Sequence, residues 1–182
     1  ALQQALNTIV ERHESLRTRF VAEAGIPRQR IQPHRPFQLP LLELSAHAAS
    51  EQATALQQIL TQEEQRPFDL SQDLMLRITL VRVQNDEHVL QVVIHHIVSD
   101  GLSMEIFFNE LQELYQAFRN GRVSSLPALP IQYADFAEWQ NQRLTKQSRF
   151  GATWSSRGDR TSASISTFTS KYLEIMSRKP RC

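Results

Sequence analysis

The chain has 182 residues, 41% of them apolar, and a formal net charge of +1, enough for one domain with a buried core. A single cysteine at the last position, Cys182, excludes an internal disulfide framework and a cysteine-based zinc site. No run approaches the ~18 apolar residues of a spanning helix, and the first residues carry no basic or apolar export signal, so the cytoplasm is the default compartment.

The near-neutral total conceals an asymmetry. Residues 1–142 hold 11 Lys and Arg against 17 Asp and Glu, whereas residues 143–182 hold 9 against 2. The basic end has no nucleic-acid motif, so neither nucleic acid nor membrane is expected as a partner.

In chain order, Leu2, Ala5, Leu6, Ile9, Val10, His13 and Leu16 recur at helical spacing, which predicts a helix ending near Ser15-Leu16. Arg17 to Val21 alternates as a short strand, Gly25-Ile26-Pro27 is a turn, and Pro33, Pro36 and Pro40 mark loop or extended edge structure. Leu41 to Leu44 reads as a strand, and residues 50–65 as an amphipathic helix that Pro67 breaks. Leu74 to Val83 and His88 to Ile94, joined by the polar turn Gln84-Asn85-Asp86-Glu87, predict a β-hairpin. A helix follows from Leu102 to Phe118 with Gly121 as its stop, then the stiff linker Leu126-Pro127-Ala128-Leu129-Pro130 and a helix from Tyr133. Of the 35 residues from Ser148 to Cys182, 12 are Ser or Thr and one is Leu, so residues 143–182 are expected to be a poorly ordered tail.

Between the apolar run ending at Ile94 and the next helix lie His95-His96-Ile97-Val98-Ser99-Asp100-Gly101. Imidazole is the side chain that titrates near neutral pH without perturbation. Successive strand residues point to opposite faces, so the two rings are not expected to share one ion and no metal is expected.

This stretch resembles the HHxxxDG signature of nonribosomal peptide synthetase condensation domains, shared with chloramphenicol-acetyltransferase-like acyltransferases. Arg12-His13-Glu14-Ser15-Leu16-Arg17-Thr18-Arg19-Phe20 resembles their RHExLRTxF motif. Tyr133-Ala134-Asp135-Phe136-Ala137-Glu138-Trp139 resembles YxDFAxW, and Pro67-Phe68-Asp69-Leu70 with Leu74-Met75-Leu76-Arg77 resembles the run before the family's hairpin. The resemblance implies an α/β, chloramphenicol-acetyltransferase-like lobe, a mixed sheet flanked by helices. It covers residues 1–142 as an N-terminal lobe incomplete at both ends, with a non-homologous tail over 143–182.

The implied activity joins an acyl or peptidyl thioester to the amine of an aminoacyl thioester. No cofactor is bound covalently. Upstream and downstream peptidyl carrier domains deliver 4'-phosphopantetheine arms, and a C-terminal lobe completes the tunnel. His96 matches the catalytic residue, as a base or by positioning and electrostatics. His95 is expected to hold the strand end. Asp100 is implied to be a buried acid paired with an arginine, Arg17 first and Arg12 second. Gly101 either lets the backbone pass the reacting carbonyl, its N–H helping to hold an oxyanion, or is a turn glycine. Tyr133 and Trp139 are expected to pack the lobe. An epimerisation domain or stand-alone acyltransferase of the same superfamily is the second enzymatic reading. A catalytically inactive interaction module or pseudogene product is the third.

Overall fold

The computed structural model describes residues 1–148 and 168–176. Helix α1 (Leu2–Arg12) turns one stripe inward, burying Ala5, Leu6, Ile9 and Val10 as its periodicity requires. It stops earlier than predicted. His13 adopts extended backbone, and Glu14–Arg17 form a short 3₁₀ turn. At this break the Arg12 and His13 side chains reach across to a carboxylate on a later helix, so tertiary contact overrides helical propensity.

Strands β1 (Thr18–Glu23) and β2 (Ile26–Ile31) form a separate antiparallel hairpin. β2 has no apolar alternation, holds Pro27, and is exposed along its whole length. Those features hid it from pattern reading, which placed a turn at Gly25-Ile26-Pro27 and loop or extended edge structure from there to Pro40. Ala24 and Gly25 both have positive φ, 51° and 79°, the backbone of a type I′ turn.

The main sheet runs β3 (Leu41–Glu43), β4 (Leu76–Gln84), β5 (Glu87–His95), β6 (Phe168–Met176) in spatial order. β3 lies parallel to β4 and the other pairs are antiparallel, with Leu76 opposite Ile94 in the predicted hairpin. The sheet is therefore mixed. Helix α2 (Ala49–Gln65) covers one face, while α1 and α3 (Gly101–Arg119) cover the other; α4 (Tyr133–Ser148) follows the proline-rich linker.

Burial on β5 is continuous from Val89 to His95, because both faces are covered. Leu90, Val92 and Ile94 pack with the α1 stripe and with Met104, Phe107, Leu111 and Leu114 of α3. Each such side chain contributes roughly 1.5–3 kcal/mol by leaving water. On the opposite face Val89 packs with Val83 and Leu60. There the fully buried Gln91 donates to the Leu60 carbonyl at 2.8 Å and ties α2 to the sheet.

The α/β lobe agrees with the fold read from the sequence. The expectation for residues 143–182 departs in two places: α4 continues to Ser148, and residues 168–176 pair with β5 as a strand over its full length. Paired backbone along β5 supplies what the local pattern lacked. The rest of that segment lies outside the described residues.

Ala24 is an L-residue held in the left-handed region, which costs about 1–2 kcal/mol. Ala24→Asn, the residue preferred at that turn position, is expected to raise stability by about 1 kcal/mol. Chemical denaturation of the two proteins checks this; an unchanged or lower midpoint contradicts it.

Candidate active site

β5 delivers the two histidines to opposite environments. His95, the last residue of the strand, is buried and faces the α2 side. Its Nδ1 accepts the Ile97 N–H at 3.0 Å, and Phe68 meets its ring edge-on with centroids 5.7 Å apart. The Arg77 guanidinium lies 3.7 Å over the other partner of that stack, the Phe68 ring, and also donates to the Glu63 carbonyl at 3.0 Å and to the carbonyls of Arg66 and Pro67 at the end of α2. The Pro-Phe and Leu-Arg elements of the run before the hairpin thus form a wall behind His95. Burial, then the neighbouring His96 and Arg77, hold His95 below its ordinary pKa. Burial and these neighbours favour the uncharged ring.

His96 projects the other way and is exposed. Its Nδ1 lies 2.9 Å from the Ser99 carbonyl. A carbonyl only accepts, so Nδ1 carries the proton and Nε2 of the neutral ring keeps its lone pair. The ring borders a groove of about 340 Å³. Glu14, Ser15 and Thr18 come to this groove from the first motif, Phe20 and Gln29 from the β1–β2 hairpin, and Tyr133 from α4; the His96–Asp100 turn forms the remaining wall. Three motifs far apart in sequence therefore meet at one cleft.

The expected Asp100–Arg17 pair is not formed. Asp100 is exposed and caps α3, accepting from the Ser103 N–H at 2.8 Å and the Ser103 hydroxyl at 2.6 Å. Those two bonds hold its carboxyl below the usual range. Arg17 instead donates to the Gln32 carbonyl at 2.6 Å and lies 3.4 Å from Glu14, fastening the end of β2 to the 3₁₀ turn. A local cap satisfies the acid without a distant cation, so no buried charge pair is required.

Arg12, the second candidate for Asp100, pairs with Glu110 of α3 at 3.1 Å and donates to the Pro127 carbonyl. His13 Nε2 meets the other Glu110 oxygen at 2.7 Å. Glu110 is one residue that sequence reading missed. Its signal was an acid set within the apolar stripe of Phe107, Leu111 and Leu114. Gln132 was missed as well: its side chain donates to the Arg12 carbonyl at 2.9 Å and accepts the Glu14 N–H at 3.2 Å, and Asp135 accepts the Gln132 N–H at 2.8 Å. These bonds seat α4 against the first motif.

Gly101 opens α3 without positive φ, and a Cβ placed there meets nothing within 4 Å. Neither the turn nor close packing within the described residues requires glycine at that position. Tyr133 and Trp139 also differ from expectation. Both are half exposed, and with Phe136 they form a ladder of rings on the surface of α4, with centroids 6.2 and 5.7 Å apart. Among the described residues no group of three or more His, Cys, Asp or Glu side chains is placed to hold a metal ion, and no helix is long and apolar enough to cross a membrane.

Two measurements follow from this geometry. The unfolded chain binds more protons than the folded one just below pH 6.5, the ordinary histidine value, because folding lowers the His95 pKa. The stability contribution of neutral His95 is full above that value and falls as the pH drops below it. His95→Asn, whose oxygen can take the Ile97 N–H without titrating, is expected to lessen this acid-side loss in thermal melts from pH 7.5 to 5; an identical slope contradicts it. Glu110→Ala is expected to cost about 3 kcal/mol by denaturation, since it leaves the part-buried Arg12 guanidinium without its acid and removes the partner of the His13 ring; a loss under 1 kcal/mol would contradict that role.

Comparison with known proteins places this geometry in a family. Residues 1–172 match the family model described as the condensation domain. The chain is similar to chondramide synthase cmdD of Chondromyces crocatus, 44% identical over 144 residues, covering 79% of this chain and 4% of that protein. In structure it is similar to the X-domain seen in complex with OxyB from teicoplanin biosynthesis, with a TM-score of 0.71, 34% identity, and coverage of 81% and 31% of the two chains. It is also similar to the first condensation domain of the calcium-dependent antibiotic synthetase in complex with a substrate analogue, with a TM-score of 0.62, 28% identity, and coverage of 70% and 30%. The chain spans about a third of each of these solved domains. With its three motifs lining one groove, it belongs to the condensation-domain family of nonribosomal peptide synthetases.

Proposed function

We propose that this chain supplies the histidine-bearing wall of an amide-forming condensation site. The observation that carries the reading is the groove itself, where an exposed His96 with Nε2 as its basic atom faces side chains from the first and third motifs. The amine of an aminoacyl thioester attacks the carbonyl carbon of an acyl or peptidyl thioester. A C–N bond forms, the C–S bond breaks, and the sulfur leaves as thiolate. His96 Nε2 takes the proton released by the attacking nitrogen and returns it to the thiolate, so the ring ends as it began. The Ser99 carbonyl holds the Nδ1 proton throughout, so only Nε2 gains and loses one.

The substrates are carried on phosphopantetheine arms of upstream and downstream peptidyl carrier domains, and a C-terminal lobe forms the facing wall. The Gly101 N–H, at the start of α3 where helical N–H groups lack intrahelical partners, supports a role in steadying the oxyanion. Asp100 supports catalysis indirectly, by fixing where α3 begins. Arg17, Arg12 and His95 hold the surrounding backbone.

A second reading is favoured by the similarity to the X-domain recorded in complex with OxyB. In it the lobe binds a partner without turnover, and the exposed ring ladder of α4 is part of the contact surface.

The deciding assay mixes the chain with one acyl-loaded and one aminoacyl-loaded carrier protein and follows amide product by mass spectrometry. Condensation that His96→Ala lowers by about 10²–10⁴-fold supports the first reading. Carrier binding without product, unchanged by His96→Ala, supports the second.

A further inference from the structure

Among the described residues the β1–β2 hairpin is two-stranded, and no further strand lies against the outer side of β2. Two bonds fix which backbone groups that open edge offers. The Gln32 N–H donates to the Arg17 carbonyl at 3.0 Å, so Arg17 and Gln32 form a hydrogen-bonded pair, and bonded and non-bonded pairs alternate from there along the register. Arg19–Arg30 and Val21–Arg28 are then bonded pairs, whereas Thr18–Ile31 and Phe20–Gln29 are not. The Phe20 N–H agrees with this order, since it points away from β2 and donates to the Leu70 carbonyl at 2.8 Å. The N–H and C=O groups of Gln29 and Ile31 therefore face outward along the edge.

The same residues stand at the groove. Side chains alternate across a strand, and Phe20 with its cross-strand neighbour Gln29 lines the cleft of His96, as does Thr18, which lies opposite Ile31. Arg28 and Arg30 take the other face. The usable edge is short. Pro27 has no N–H to offer, and proline and charge on an edge strand discourage pairing with further copies of a chain. Gln29 and Ile31 remain, about 7 Å apart along the strand.

We propose that this edge binds the backbone of a peptidyl substrate, which adds to β2 as a third strand while its thioester lies in the groove. The assignment rests on the groove being a thioester-substrate site. An added strand is held by its own N–H and C=O groups, so the edge reads the length of the substrate before its side chains. A lone aminoacyl group cannot span Gln29 and Ile31, whereas a short peptide can. Two paired residues hold a free chain weakly, but a peptide already seated through its arm meets the edge at high effective concentration.

The probes are acetyl-alanyl- and acetyl-trialanyl-pantetheine amides, which cannot be cleaved, titrated calorimetrically into the full chain. The trialanyl probe is expected to bind roughly tenfold tighter or more, because its extra residues add backbone hydrogen bonds worth roughly two- to tenfold each. Successive amides of a strand point to opposite sides, so N-methylation of the second or of the third alanine is expected to weaken binding at one of these positions only. Ile31→Pro removes an outward N–H without breaking a bond to β1, and is expected to weaken the trialanyl probe by roughly two- to tenfold and leave the short probe unchanged. Ile31→Ala keeps that N–H and is expected to bind both probes as the unaltered chain does. Residue-resolved amide exchange needs no variant: the Gln29 and Ile31 N–H groups are expected to exchange freely in the chain alone and to slow when the trialanyl probe is bound. Equal binding of the two probes, an equal response to the two methylations, or slow exchange at Gln29 and Ile31 without a probe overturns the edge site while leaving the groove reading in place. Failure of both probes to bind overturns both.

Discussion

The hydrogen bond from His96 Nδ1 to the Ser99 carbonyl is the constraint on which the rest of the site depends. It closes a tight loop between the end of β5 and the start of α3, and each end of that loop is anchored separately. On the strand side, His95 is packed against Phe68, whose ring the Arg77 guanidinium covers. On the helix side, Asp100 caps the first turn through both donors of Ser103. With both ends held, the exposed ring has little freedom to swing, and its tautomer follows from the carbonyl that Nδ1 faces. Preorganisation of this kind is needed for a group that must meet a proton at a fixed place.

Around that loop the lobe uses its charges for assembly. Glu110 gathers Arg12 and His13, and Gln132 gathers the backbone of Arg12 and Glu14. The first motif contributes few groups to the groove itself and many to its framework. Leu16 enters the core, Arg17 grips the hairpin, and Arg12 with His13 grips α3. The motif is read most economically as a joint, with Glu14, Ser15 and Thr18 as its face toward the cleft.

Much of this was legible before any coordinates. The α1 and α3 stripes, the β4–β5 hairpin and the opposite directions of His95 and His96 follow from period alone. Motif order could suggest convergence but not the path. The partner of Asp100 was misread because a carboxylate at a helix start has a local solution, and Ser103 three residues on was its visible sign. Glu110 was hidden because an acid inside an apolar stripe gives no direction to its partner. β2 was hidden because its pairing comes from β1 and the turn, not from its own apolar pattern. β6 draws its order from the edge of β5, which no local window can register. Tyr133 and Trp139 were expected to pack the lobe, yet both rings are half exposed, and exposed apolar patches occur at surfaces that meet another body.

Gln132 connects that surface to the chemistry. Its side chain is a short strut between the base of α4 and the backbone of Arg12 and Glu14, and Tyr133, the next residue, borders the groove. The seat of α4 and the edge of the cleft opposite His96 are therefore fixed by the same two hydrogen bonds.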